Sequence, residues 1–120
     1  MGNGAMIPTN EHIRQVADAL IAATNAFDVD CALRLFAQDA VIDDASTGHR
    51  FGGQAGIRDY IERYFIACRT ATRFLSIKRL GFNRASVRVD FTGDFGHEIG
   101  RLDIAVNAKG MIARIDADLE

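Results

Sequence analysis

Ile13, Val16, Ala17, Leu20, Ile21, Thr24 and Phe27 recur at three- and four-residue steps, so the pattern predicts a first helix of about four to five turns. Thr9 or Asn10 offers its N-cap, and Glu11 suits the positive end of its dipole. Asp28 and Asp30 break the stripe. Asp30 is expected to cap a short second helix through Ala37, with Cys31, Leu33, Leu35 and Phe36 as its apolar face. Ala40-Val41-Ile42-Asp43-Asp44 is β-branched at its centre and predicts a strand. Ser46-Thr47-Gly48 and Gly52-Gly53 then bracket a predicted loop holding His49, Arg50 and Phe51. A third helix is expected from about Gln54, its stripe formed by Ile57, Tyr60, Ile61, Tyr64, Phe65 and Cys68.

After Thr70 the period changes from helical to alternating. Residues 72–82, 86–95, 98–107 and 111–119 read as four strands, separated by turn signals at Asn83-Arg84, Gly96-His97 and Ala108-Lys109-Gly110. A two-residue turn at Gly96-His97 would set Phe95 opposite Glu98, Phe91 opposite Leu102, Val89 opposite Ile104 and Val87 opposite Val106. That register gathers the apolar side chains on one face and predicts that Val89 and Ile104 face the helices while Arg88 and Asp103 face away. It also predicts diagonal pairs Asp90–Arg101 and Arg88–Asp103 on the polar face. In the last strand Met111, Ala113, Ile115, Ala117 and Leu119 are expected on one side.

Helices followed by strands imply an α+β fold: three N-terminal helices packed on a curved, mainly antiparallel sheet, a cone-like roll of cystatin type with an apolar cavity between the layers. At 120 residues the chain fits one domain, read as a flexible segment 1–9 and a folded domain 10–120. With 48% hydrophobic and 25% charged residues it has the composition of an ordinary globular domain. A net charge of −2 and a pI near 5.9 argue against a nucleic-acid partner. No apolar run approaches the ~20 residues of a membrane span, and Met1–Asn10 does not have the pattern of a signal peptide. Cys31 and Cys68, outside any CxxC or Cys/His cluster, read as buried reduced thiols in a cytoplasmic protein, with no metal site and no cofactor implied.

Two stretches carry a resemblance to a known family. "AATNAFDVDCALRLFAQDAVIDDASTG" is similar to the helix–helix–strand opening of the SnoaL-like and ketosteroid isomerase-like families of the nuclear transport factor 2-like superfamily, and "GGQAGIRDYIERYF" to their glycine-started third helix. The resemblance runs from about residue 12 to residue 119 and implies the same α+β roll. The isomerases of this group place a carboxylate base at the end of the first strand, a position matched here by Asp44. Their oxyanion-hole positions, a tyrosine on the first helix with a supporting tyrosine on the third and an aspartate on the penultimate strand, correspond here to Leu20, Ile61 and Leu102. SnoaL-like cyclases and their relatives are therefore the closer resemblance.

Asp44 shares its strand face with Ile42 and is expected to point into the cavity as a general base, with Asp43 pointing outward. The competing reading is a loop-start aspartate that accepts hydrogen bonds from the amides of Ser46, Thr47 or Gly48. His49, close by in the loop, could shuttle a proton or gate the cavity. Tyr60, on the inner stripe of the third helix, could donate to a ligand carbonyl or enolate. Leu20, Ile42, Ile61, Tyr64, Phe91 and Leu102 are the expected ligand-binding wall. The function this implies is acid–base chemistry on a small hydrophobic, carbonyl-containing or cyclic compound, of isomerase, cyclase or dehydratase type. The alternative is a non-catalytic ligand-binding or dimerisation module. A homodimer is expected through the outer sheet face, which carries Arg88, Asp90, Thr92, Arg101, Asp103 and Ala105, and relatives commonly dimerise there.

Overall fold

A computed structural model gives the fold and describes residues 10–120; the segment 1–9 lies outside the described residues. The order is α1 (Asn10–Asn25), α2 (Val29–Leu33), β1 (Phe36–Asp44), β2 (His49–Gly52), α3 (Gly53–Ile61), β3 (Ala71–Arg79), β4 (Arg84–Gly93), β5 (Gly96–Val106) and β6 (Ile112–Leu119). A π-helical turn, Glu62–Ile66, extends α3. The six strands form one sheet in the order β2-β1-β6-β5-β4-β3. Every adjacent pair is antiparallel except β1 with β6, which run parallel. The α+β class and the mainly antiparallel sheet are as expected. Of the three helices, α2 is only five residues long.

Helix α1 buries Ile13, Val16, Ala17, Leu20 and Thr24 of the predicted stripe, leaves Ile21 half-buried, and adds Ala23. At Phe27 the chain takes a positive φ of 56° and leaves the helix, so that ring ends 44% exposed rather than in the core. The cap of α2 is Asp28, not Asp30, with the Asp28 carboxylate accepting from the Cys31 amide at 3.0 Å. That two-residue change of phase turns Val29, Ala32 and Leu33 inward and leaves Cys31 exposed, contrary to the expectation of two buried thiols; Cys68 is half-buried. Phe36, expected on the helix, instead opens β1 with its ring buried.

The β4–β5 hairpin turns at Asp94-Phe95, between Gly93 and Gly96, not at Gly96-His97. Val87 therefore lies opposite Leu102, Val89 opposite Gly100, and Phe91 opposite Glu98. The slip is four residues, an even number, so every side chain keeps its predicted face. Val87, Val89, Leu102, Ile104 and Val106 are buried in the core, while Arg88 and Asp103 lie on the opposite face. Asp90–Arg101 and Arg88–Asp103 remain diagonal neighbours in the new register, but their charges pair elsewhere: Arg88 binds Glu120 at 2.8 Å, and Asp90 is held by Arg73 at 3.0 Å and by His97. In β6 an irregularity beside Ala113 brings Ile112, rather than Met111 and Ala113, into the core with Ile115 and Ala117.

The Phe91 ring lies across Gly100, where a Cβ would collide with its Cε2 and come within 3.3 Å of the Asp118 carbonyl oxygen. Gly100→Ala is expected to drive the ring off its seat and cost about 1–3 kcal/mol, read as a lower urea midpoint at unchanged slope. Gly100→Ala with wild-type stability would show that the ring relocates freely.

Candidate functional site

Alternation along β1 sends Ala40, Ile42 and Asp44 inward and Asp43 to the other face, where it meets Arg114 at 3.1 Å. Asp44 is 5% exposed, a carboxylate taken almost wholly out of water. Such a group needs donors, and it has three. Its Oδ1 accepts from the Ser46 backbone N–H at 2.9 Å and from the Ser46 hydroxyl at 2.6 Å. Its Oδ2 accepts from the Tyr60 hydroxyl at 2.6 Å. The Thr47 and Gly48 amides bond to the Asp44 backbone carbonyl oxygen instead, at 3.2 and 2.9 Å. Gly48, at a φ of 73°, then lets the chain reverse into β2.

The segment expected as a loop around His49-Arg50-Phe51 is strand β2, paired antiparallel with β1. Its one buried residue, Phe51, packs beneath α3, with its ring centroid 5.0 Å from that of Tyr60 and 6.1 Å from that of Tyr64. Gly56 allows this approach, since a Cβ there would sit 3.1 Å from the Phe51 backbone. Tyr60 is thus wedged from below and tied at its tip. Burial first, then the charge of Asp44 and the hydrogen bond to it, push the Tyr60 phenol well above its usual 10.0. It is a neutral donor throughout the ordinary pH range.

Beyond Ile61 the helix widens: the Ala67 amide reaches back to the Glu62 carbonyl at 2.9 Å. The extra residue per turn brings Tyr64 and Phe65, adjacent in sequence, to the same cavity wall. The Phe65 ring then meets Phe91 edge-on at 6.0 Å.

These residues line two neighbouring spaces. The outer one, about 220 Å³, is bounded by Asp44, Tyr60, Tyr64, Phe65 and Phe91, with Phe95 and Glu98 from the hairpin at its rim. The inner one, about 30 Å³, is bounded by Leu20, Ile42, Ile61 and Leu102, with Thr24 and Thr72. Tyr60, Phe65 and Phe91 line both. Drug-sized ligands occupy ~300–1,000 Å³, so this space suits a compact one- or two-ring molecule.

The structure brings Asp44 and Tyr60 together and sets Leu20, Ile42, Ile61, Tyr64, Phe91 and Leu102 around them. It does not bring in His49, which is exposed at the start of β2, opposite Asp44 in the ladder, and lines neither space. Leu20, Ile61 and Leu102, where the resemblance looks for polar partners, are apolar wall; the phenol comes from Tyr60, one residue before Ile61. Sequence reasoning missed Phe95, Glu98 and Thr72 as cavity residues. An aspartate followed two residues later by serine is the one local signal that points to the Ser46 contact. Among the described residues no cluster of His, Cys, Asp and Glu is arranged to hold a metal ion. No helix among them is long and apolar enough to cross a membrane.

No curated protein matches the sequence. The sequence model of the SnoaL-like domain matches residues 17–111. The chain belongs to the SnoaL-like domain family. This SnoaL-like chain shares its fold with a Kribbella flavida protein provisionally named a ketosteroid isomerase (TM-score 0.79, 19% identity, 92% of this chain and 78% of that one). It is also similar to a Sinorhizobium meliloti protein provisionally named a polyketide cyclase (TM-score 0.78, 24% identity, 86% and 93%). A third similar structure is a Mycobacterium tuberculosis protein in complex with estradiol-17β-hemisuccinate (TM-score 0.76, 16% identity, 88% and 92%). At these identities the three structures speak for the fold of the SnoaL-like domain and not for its reaction.

Proposed function

We propose that this SnoaL-like domain binds a compact apolar carbonyl compound and moves a proton on it, with Asp44 as the base and Tyr60 as the hydroxyl that follows the charge. The supporting observation is the buried Asp44–Tyr60 pair, 2.6 Å between Oδ2 and Oη, at the wall of an otherwise largely apolar cavity. In the resting pair the single Tyr60 proton points at the carboxylate. When Oδ2 takes a proton from the carbon beside the substrate carbonyl, the bonding electrons pass to the carbonyl oxygen. The negative charge leaves Asp44 for that oxygen, and the Tyr60 hydroxyl is free to turn and donate to it. Return of the proton from Asp44 to another carbon gives isomerisation; return to a departing hydroxyl gives dehydration. Structural relatives named for a ketosteroid isomerase and a polyketide cyclase, and one holding an estradiol ester, agree with an apolar ring compound as ligand.

A second reading, a binding domain without chemistry, draws on the other carboxylate oxygen. Asp44 Oδ1 is engaged by Ser46 as a turn-closing aspartate would be. The two readings separate on 2-tetralone in D2O, followed by proton NMR. Loss of its α-proton signals faster than in buffer supports the enzyme reading. Saturable binding with exchange no faster than buffer would leave only the binding domain.

The outer sheet face supports a two-fold dimer. It carries both signs of charge in the open: Arg101 beside Asp103, Arg114 between Asp43 and Asp116, and Arg88 on Glu120. Light scattering at micromolar concentration is expected to give twice the 13.1 kDa of one chain. The mass of a single chain would count against the dimer.

A further inference from the structure

Glu98 is the charged residue that the site as described leaves idle. It stands on the inner face of β5, opposite Phe91 and in line with Gly100 and Leu102. Farther along that face Leu102, Ile104 and Val106 are core, so the strand breaks its apolar run with a carboxylate where it reaches the outer space. Among the described residues this carboxylate has no hydrogen bond and no ion pair. Glu98 meets the space as an exposed group, Asp44 as a buried one.

Around these two carboxylates the lining is aromatic: Tyr60, Tyr64, Phe65, Phe91 and Phe95. The Tyr60 ring centroid lies 5.2 Å from that of Tyr64 and 6.0 Å from that of Phe65. Phe95 stands at the mouth, 46% exposed, its ring folded back over Gly93, where a Cβ would come within 2.8 Å of Cε2. The hairpin tip that carries it is pinned, since the Asp94 N–H donates to the Cys68 carbonyl at 2.9 Å. No lysine, arginine or histidine among the described residues lines the space. Arg69, next to Cys68, is paired with Asp94 at 3.3 Å. Aromatic faces draw a cation, the more so where water is thin. Two carboxylates add to that field, and apolar walls focus it. An anionic ligand would meet like charge and no counter-charge. An ammonium group would meet Glu98 and the rings. Asp44 on β1 and Glu98 on β5 lie two strands apart, at least ~10 Å between backbones, so one small ligand meets them with its two ends.

We propose that the outer space recognises an organic cation: the substrate class is a compact amino ketone, with its carbonyl at Asp44 and Tyr60 and its ammonium at the mouth, beside Glu98 and against the rings of Phe91 and Phe95. The proposal rests on the reading of Asp44 and Tyr60 as the carbonyl end of the site. The ring between the two ends stays apolar, as the walls require. Glu98 is then a specificity-determining residue and takes no part in the proton transfer.

The test uses two ketones of one shape and different charge. One is 4-(trimethylammonio)cyclohexanone, a permanent cation; the other is 4-tert-butylcyclohexanone, in which carbon replaces the nitrogen. Binding is measured by calorimetry at low salt to the wild type, Glu98→Gln and Phe95→Leu. A cavity that was merely apolar would favour the tert-butyl ketone, because the cation gives up more hydration on entry. The wild type is expected to favour the cation about tenfold, within the range of a desolvated cation–ring contact. Glu98→Gln and Phe95→Leu should each bring that ratio to about threefold or less. Both side chains are exposed, so both variants should melt as the wild type does. Equal affinities, a preference for the tert-butyl ketone, a ratio unchanged in either variant, or no binding of either ketone would each overturn the proposal. Deuterium exchange at the α-carbon separates this from the function itself. Exchange without preference for the cation sinks only the cation site, and preference for the cation without exchange sinks only the catalytic reading.

Discussion

Asp44→Asn is expected to slow the α-proton exchange of 2-tetralone by about 10²–10⁴-fold, the range over which a positioned general base acts. The substitution keeps the planar shape, and its amide oxygen can still accept from the Ser46 N–H and hydroxyl that now meet Oδ1. The amide group facing Tyr60 can donate to the phenol oxygen, and the phenol proton then has to turn toward the cavity that Tyr60 lines. What is lost is the ability to take a proton. The fold should therefore survive with its melting temperature little changed. Asp43→Asn is the internal control: one residue away, it faces the opposite side of the sheet, bound to Arg114, and should leave exchange within about twofold of the wild type. A large loss of stability in Asp44→Asn with exchange intact would make Asp44 a structural turn residue and remove the base from the proposal.

Tyr60→Phe should lower stability by about 1.5–3 kcal/mol at neutral pH, the scale of a hydrogen bond to an ionised group. It leaves Asp44 Oδ2, buried, without its donor, while the ring keeps its packing on Phe51 and Tyr64. The pH dependence carries a second signature. The Tyr60 phenol is held protonated in the fold above its ordinary 10.0 by burial, by the Asp44 charge and by the hydrogen bond to Asp44. Above that pH an unfolded chain gives up the proton and the folded one keeps it, so the unfolded state binds fewer protons and stability falls as pH rises. The term is fully present below about pH 10 and lost above it. Urea midpoints across pH 8–11.5 should fall more steeply in the wild type than in Tyr60→Phe. Parallel curves would mean that the phenol titrates alike in both states and that its bond to Asp44 is not held in solution.

How much of this was legible beforehand depends on what each feature rests on. Face assignments were legible where a strand runs without a bulge, because alternation has a period of two and an unbroken strand keeps it whatever its partner; the irregularity in β6 is where it failed. Asp44 in and Asp43 out, and Val89 in and Arg88 out, both follow. The hairpin register was not, because a slip of four residues preserves the alternation and leaves the pattern equally satisfied. Strand β2 was hidden because only Phe51 of its four residues is buried, too short a run to show a period. The π turn was hidden because Tyr64, Phe65 and Ile66 are consecutive apolar residues that suit either helical pitch. The Asp44–Tyr60 contact was half visible: both residues stood out as inward-facing, but their meeting depends on Phe51 and on the strand missed around it.

The parallel pairing of β1 with β6 bears on the order in which the site is made. Ile42 lies beside Ile115, and the Ala45 amide binds the Ala117 carbonyl at 2.9 Å, partners more than seventy residues apart. The strand that carries Asp44 has only the four-residue β2 as a neighbour until the eight-residue β6 arrives. On a ribosome the site can therefore be completed only after Ile112–Leu119 has cleared the exit tunnel. Joining ends this far apart is slow compared with forming the helices or the β4–β5 hairpin. Strand β6, which supplies no group that takes or gives a proton, decides when the carboxylate leaves water.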